Sequence, residues 1–215
     1  MIIACVKHGR KLYTAEYVNN LAAMVRRNVT KSYRFICLTE DAAGINPEIE
    51  CQPLSGQAYG WWCKLELFKA GQFPNGERVL YFDLDTLILA NIDDLAAYDG
   101  SFAGLGCARS NRLFSSGVMA WEAGRCDRFW TDWLKAGSPI LGSGDDEWID
   151  RQCPEARRLQ RFIPGIYSYK FHKCAKGPPP DARIVFFTRQ PKPHNCGVQW
   201  VADVWNSNSR ITCQP

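Results

Sequence analysis

The sequence predicts an α/β fold: a single domain with a Rossmann-type, mostly parallel central sheet flanked by helices. Three observations carry this. Ile2–Val6 and Tyr33–Thr39 are short apolar runs on either side of a segment with helical periodicity. Strand, helix, strand at that spacing is a βαβ unit, whose two strands run parallel. The stretch RVLYFDLDTLIL at positions 78–89 opens on an unbroken apolar run, Val79–Phe82, too short for a helix and right for a strand buried on both faces. Finally, 215 residues with 46% hydrophobic and 13% aromatic content are enough for one sizeable core.

The elements follow in order. After the first strand, Lys7 to Lys11 form a loop, and Thr14 stands where it can cap a helix with Glu16 in the first turn. Val18, Leu21, Ala22, Val25 and Val29 recur at helical spacing, so this helix lays one face on the sheet. Residues 45–60 read as a loop with prolines and glycines. Trp61–Ala70 reads as a helix with a stripe of Trp61, Leu65 and Phe68. Asn75-Gly76 is a turn into the central strand. A short helix is expected within 91–98, a strand over 102–107, and a turn running into a strand over 114–121. Cys126, Phe129, Trp130, Trp133 and Leu134 keep the helical period, which makes Trp130 and Trp133 core residues. Ile184–Phe187 is a further strand. The domain is expected to span 1–196, one half to residue 89 and a second half over 90–196, with 197–215 as a polar tail that frays.

The central strand ends in Asp83-Leu84-Asp85. On an extended chain, residues i and i+2 face the same way, so both carboxylates fall together at the carboxyl end of a buried strand, where open α/β sheets bind ligands. Two like charges there repel and lose hydration unless a cation or shared proton intervenes. That points to a divalent-metal or phosphoryl site. A turn aspartate followed by a solvated one is the plain structural alternative.

Charge is segregated along the chain. Residues 81–150 hold twelve acids and five bases (−7), whereas residues 151–196 hold ten bases and two acids (+8). An acidic half able to hold a cation, followed by a basic one, suits a substrate carrying a diphosphate. No nucleic-acid recognition motif accompanies the basic segment, though that segment also suits anionic lipid headgroups at a membrane surface. The ten cysteines show no C-x-x-C pair, and several lie in apolar runs where a reduced thiol acts as a small hydrophobe. No stretch reaches the roughly 20 apolar residues that span a bilayer, and the N-terminal apolar run is too short for a signal segment. The expectation is a cytoplasmic protein, able to sit at the inner face of a membrane.

Five features occur in one order: Trp62-x-Lys64-Leu65, Tyr81-Phe82-Asp83-Leu84-Asp85, Ser115-Ser116-Gly117-Val118-Met119, Gly144-Asp145-Asp146-Glu147, and FFTRQPKPH at 186–194. Together they resemble the GT-A-fold glycosyltransferases of the family 8 type, retaining enzymes that include glycogenin and bacterial galactosyltransferases of lipopolysaccharide assembly. The resemblance runs from about Met1 to His194 and implies that 1–89 is the nucleotide-binding half and 90–196 the acceptor and donor-sugar half. It implies a GT-A-like fold in which Asp83 and Asp85 hold Mn²⁺ or Mg²⁺ against the diphosphate of a nucleotide-sugar donor, a UDP-sugar by family habit. It also implies that Lys64 and Lys192 neutralise the leaving diphosphate, and that Lys7, Tyr13 and Ser116 help bind the donor. Asp145 and Asp146 would line the sugar and acceptor pocket as catalytic carboxylates. The acceptor, whether glycan, lipid-linked or protein, is left open.

The chain departs from the family pattern at several points. Phe186 stands in place of the family's metal-binding His, Arg189 in place of a Gly and His194 in place of a Trp. His194 is then the remaining candidate for a third metal ligand. Asp146 replaces the family's Gln, which leaves both front-side displacement and a covalent intermediate open. Two other readings compete. Asp83-Leu84-Asp85-Thr86-Leu87 approaches the D-x-D-x-T motif of haloacid-dehalogenase phosphatases, with the threonine out of register by one. An inactive nucleotide-sugar-binding protein is the other.

Overall fold

The computed structural model describes residues 1–9, 12–107 and 110–207. Arg10 and Lys11 of the expected first loop lie outside the described residues. A seven-stranded sheet runs in the order β3-β2-β1-β4-β7-β6-β8, with β1 Ile2–Lys7, β2 Arg34–Thr39, β3 Glu50–Gln52, β4 Arg78–Phe82, β6 Ala103–Cys107, β7 Ser110–Glu122 and β8 Arg157–Arg158. Strands β3, β2, β1 and β4 run parallel to one another, β7 is antiparallel to both β4 and β6, and β6 and β8 are again parallel. A second sheet, β5-β10-β9, is built from Thr86–Ile88, Ile184–Phe186 and Ile166–Ser168.

The alternation along β1 and β4 explains why both strands are apolar throughout. Ile3, Cys5, Leu80 and Phe82 face one core, with helix α1 (Ala15–Asn28), the second sheet and helix α5 (Gln199–Trp205). Ile2, Ala4, Val79 and Tyr81 face the other, with the segment Gly60–Phe68 and helices α3 (Arg128–Lys135) and α4 (Asp145–Gln152). Trp130 and Trp133 are each 3% exposed, and Trp133 stacks on Trp62 at 5.5 Å between ring centroids. These tryptophans are core, as their spacing indicated. A short helix α2 spans Asp93–Ala96. Thr14 occupies the N-cap position of α1, but its side chain makes no capping hydrogen bond.

Four expectations need correction. Residues 45–60, read as loop, contain the edge strand β3, which pairs with β2. Gly60–Phe68 is a 3₁₀ helix rather than an α-helix. With three residues per turn, its buried stripe is Trp62, Leu65 and Phe68, and Trp61 is pushed out to 63% exposure. The chain does not continue extended through Asp83–Asp85: it turns, with Thr86 N–H donating to Asp83 C=O at 3.1 Å, and so leaves the main sheet for the second one. The tail boundary at 196 is also misplaced. Helix α5 brings Val201 and Trp205 into the core at 0% and 2% exposure, because this otherwise polar segment carries apolar residues at i, i+4. Residues 208–215, the rest of the expected tail, lie outside the described residues.

No helix among the described residues is long and apolar enough to cross a membrane. The nine described cysteines are free thiols.

Candidate active site

Strands β1 and β4 lie side by side and parallel, with β2 on the far side of β1. The connection from β1 leaves to one side while the chain returns as β4 on the other, and this reversal opens a crevice at the carboxyl ends of the strands. Asp83 sits there. Its N–H donates to Gly117 C=O at 2.8 Å, which ties the turn to β7. Its Oδ1 accepts from the Tyr81 hydroxyl at 2.6 Å and lies 3.1 Å from Lys64 Nζ. Tyr81 was legible as an apolar strand residue; its polar end was missed, although i−2 spacing on a strand puts it on the same face as Asp83.

Lys64 is the hub of an acid cluster. Besides Asp83, its Nζ stands 3.3 Å from Asp145 Oδ2 and donates to Ser116 Oγ at 2.8 Å. Ser116 is fully buried; its hydroxyl donates to Asp145 Oδ2 at 2.5 Å and its N–H to Asp146 Oδ1 at 2.6 Å. Burial alone would lower the Lys64 pKa, but Asp145, Asp83 and Asp146 outweigh it and hold the ammonium above the usual lysine range. Burial raises Asp145, opposed by Lys64 and Ser116. Burial and the neighbouring Asp145 push Asp146 up to about 6. Asp145 and Asp146 also open α4, whose N-terminal dipole favours their charged forms.

Asp85 is 2% exposed. Lys192 forms an ion pair with its Oδ2, and the Tyr13 hydroxyl donates to the same oxygen at 3.3 Å. Lys192 Nζ also lies 5.6 Å from the centre of the Tyr13 ring. Burial raises the Asp85 pKa, opposed by Lys192; burial and then Asp85 raise that of Tyr13. The structure thus brings together Lys64, Asp83, Asp85, Ser116, Asp145, Asp146, Tyr13 and Lys192.

Two of the sequence candidates stand elsewhere. Lys7 alternates away from the crevice and donates to Asp41 C=O at 3.0 Å, while its neighbours Val6 and His8 line the opening. His194 hydrogen-bonds through Nδ1 to the Tyr17 hydroxyl, and Tyr17 is wedged edge-on between Tyr13 and Trp205. Among the described residues, no three His, Cys, Asp or Glu side chains are gathered around one metal position. Asp83 and Asp85 still suit an ion that takes one or two carboxylates and completes its shell with substrate phosphate and water. They are hard oxygen donors two residues apart that both line the cleft. That mode needs no imidazole.

The cleft has two lobes. One, of about 820 Å³, is walled by Val6, His8, Leu12, Tyr13, Tyr59 and Trp61. The other, of about 550 Å³, holds Asp85, Ser116, Asp145 and Asp146. Lys64, Asp83 and Lys192 line both, as do Tyr13, Trp61 and Arg189, and these residues mark the boundary. A largely aromatic lobe and an acid-lined lobe meeting at two lysines and Asp83 can seat a planar apolar group, a polyanion and a polyol in sequence.

No family model matches the chain and no curated protein matches it by sequence. Solved structures do. An active-site mutant of LgtC superposes with a TM-score of 0.72 at 13% identity, covering 100% of this chain and 98% of LgtC. The galactosyltransferase LgtC in complex with donor and acceptor sugar analogues gives 0.67 at 13% identity, with the same coverage. The glycosyltransferase GlyE of Streptococcus pneumoniae gives 0.66 at 13% identity, covering 98% of this chain and 60% of GlyE. Such identities speak to architecture alone, and the fold is the GT-A-like one that these glycosyltransferases share.

Proposed function

We propose that this chain moves a glycosyl group from a nucleotide-diphosphate sugar to an acceptor hydroxyl, with UDP-sugars the first donors to try. One observation supports this above the rest. Lys64 and Lys192, from distant parts of the sequence, converge on Asp83 and Asp85 at the boundary between an aromatic lobe and an acid lobe. In this reading the nucleoside lies among Tyr13, Tyr59 and Trp61, the diphosphate crosses the boundary, and the sugar reaches Asp145 and Asp146. LgtC, of like fold, has been crystallised with donor and acceptor sugar analogues, which makes the same division of the cleft reasonable here.

Asp83 and Asp85 would hold Mn²⁺ or Mg²⁺, which when bound supplies Lewis-acid stabilisation to the departing diphosphate. Lys64 and Lys192 then act as fixed cations where negative charge grows, and they accelerate the reaction to the extent that they favour that state over the ground state. Asp145 is already held by Lys64 and Ser116, so it orients the lysine. Asp146 is the less encumbered carboxylate and serves as proton acceptor or as support for positive charge at the anomeric carbon. Retention of configuration follows from the family resemblance alone.

The test is calorimetric titration of the chain with UDP-sugars in the presence of Mn²⁺ and of EDTA, alongside UDP release. Metal-enhanced binding with slow donor hydrolysis supports the proposal. Binding without turnover, under any acceptor, favours a binding protein. Hydrolysis of phosphomonoesters with no nucleotide-sugar binding would replace the proposal with a phosphatase.

A further inference from the structure

Three cations line both lobes of the cleft: Lys64, Lys192 and Arg189. Two are engaged. Lys64 Nζ stands 3.1 Å from Asp83 Oδ1 and 3.3 Å from Asp145 Oδ2, and Lys192 is paired with Asp85. Arg189 is exposed and makes no ion pair or hydrogen bond with any described residue. The ion-pair network therefore leaves one guanidinium open at the seam between the lobes.

The backbone points the same way. Arg189 has φ 58°, in the left-handed region that favours glycine and that other residues enter at a cost. Strain of this kind persists where the surroundings over-determine it, and it gathers at ligand sites. Here the chain is held on both sides. Phe187, 5% exposed, stacks on Tyr169 at 4.3 Å. Lys192 is buried and its N–H donates to Asn195 Oδ1 at 2.7 Å, while the Asn195 amide donates to Gln190 Oε1 at 3.3 Å. Between these anchors the left-handed residue presents its side chain to both lobes.

The chemistry of the group selects its ligand. A guanidinium is a planar fork that keeps its charge at any working pH and bonds phosphate oxygens in pairs. Neither a nucleoside nor a neutral sugar offers it an anion. In the glycosyl-transfer reading, the part of the donor that crosses the seam is the diphosphate. Lys64 and Lys192 must each loosen a carboxylate to meet it, whereas Arg189 gives up only water.

We propose that Arg189 grips the diphosphate of the donor through a forked pair of hydrogen bonds. The identity of the donor rests on the glycosyl-transfer reading; the anion site at Arg189 does not.

The test is calorimetric titration of the full chain, of Arg189→Gly and of Arg189→Lys, with UDP and uridine in Mn²⁺ and with inorganic pyrophosphate in EDTA. UDP and pyrophosphate should bind Arg189→Gly at least about tenfold more weakly than wild type, the usual scale for a hydrogen-bonded charge. Uridine should bind both alike. Arg189→Lys, which keeps the charge without the fork, should fall between them. Because glycine suits this backbone, Arg189→Gly should unfold at or above the wild-type Tm; a clear fall would make the arginine a structural residue and overturn the proposal. Equal UDP affinity in wild type and Arg189→Gly would overturn it too, and leave the glycosyl-transfer reading standing. An equal loss for uridine would assign the guanidinium to the nucleoside instead, with the same consequence. Pyrophosphate bound through Arg189 by a chain that binds no UDP would keep the anion site and remove the donor reading, and no binding of any probe by wild type would remove both.

Discussion

Lys192 and Asp85 are 107 positions apart in sequence and form a buried ion pair at the centre of the cleft. The pair occupies Oδ2 of Asp85, so in the proposed reading Lys192 and a dication would compete for that carboxylate until a donor diphosphate gave Lys192 another partner. Removing one member of a buried pair leaves an uncompensated charge, at about 3–5 kcal/mol. Lys192→Met should therefore lower Tm by on the order of 10 °C without metal. Mn²⁺ alone should then stabilise the variant more than wild type, because its charge replaces the missing ammonium. Thermal unfolding with and without Mn²⁺ checks this; equal metal shifts in both proteins would show that the lysine does not guard the site.

Ser116 joins three of the charged groups at once. Its hydroxyl accepts from Lys64 and donates to Asp145, and its N–H holds Asp146. Ser116→Ala keeps the N–H bond but strips Asp145 and Lys64 of a buried partner, a loss of about 1–3 kcal/mol. Urea unfolding should show that loss with an unchanged slope. Turnover should fall more than donor affinity, since Lys64 keeps its charge but not its aim.

Asp146 gives the site a pH dependence with a definite sign. Its carboxyl is pushed up to about 6 by burial and by Asp145, against about 3.9 in an unfolded chain. Between those values the folded chain binds a proton that the unfolded chain does not. Stability from this group is therefore greatest at the acid end and falls as pH rises towards 6, then levels off. Catalysis that needs the carboxylate runs the other way and climbs through pH 6. Asp146→Asn should flatten both profiles, measured as the urea midpoint and the transfer rate across pH 4.5–7.5 (about three units). A rate profile that keeps its rise in the variant would assign that rise to another group.

Most of the architecture was legible because burial leaves a periodic trace. The unbroken apolar runs Ile2–Val6 and Val79–Phe82 and the helical repeat through Trp130 and Trp133 marked strands and a helix that are present. Asp83 and Asp85 both line the acid lobe, but a turn and not a pleat carries the chain between them. Trp61 was misread because Gly60–Phe68 winds with three residues per turn, a period that apolar patterning alone barely separates from 3.6. Lys7 was placed by its nearness to the first strand's end, but which way a terminal strand residue points depends on register, and here Val6 and His8 take the cleft side. The ties from His194 to Tyr17 and from Lys192 to Asp85 were beyond reach, since sequence separation of that order carries no local signal.

Gly144 fixes where the acid cluster begins. It is the N-cap of α4, with φ 69° and ψ −146°, a region essentially reserved for glycine. A Cβ there would stand 2.6 Å from Trp61 Nε1. Because Trp61 is 63% exposed, its indole can swing aside, so the steric part of Gly144→Ala is relieved cheaply while the backbone strain stays. The expected cost is about 1–3 kcal/mol in urea unfolding. Since Trp61 lines both lobes, the displaced ring should also weaken donor binding. Trp61→Ala alone should spare stability and weaken donor binding to a similar degree. Combining the two separates the effects: in a Trp61→Ala background, Gly144→Ala should cost the same stability but little further donor affinity. If donor affinity drops again by the full single-variant factor, Gly144 acts through Asp145 and Asp146 rather than through the indole.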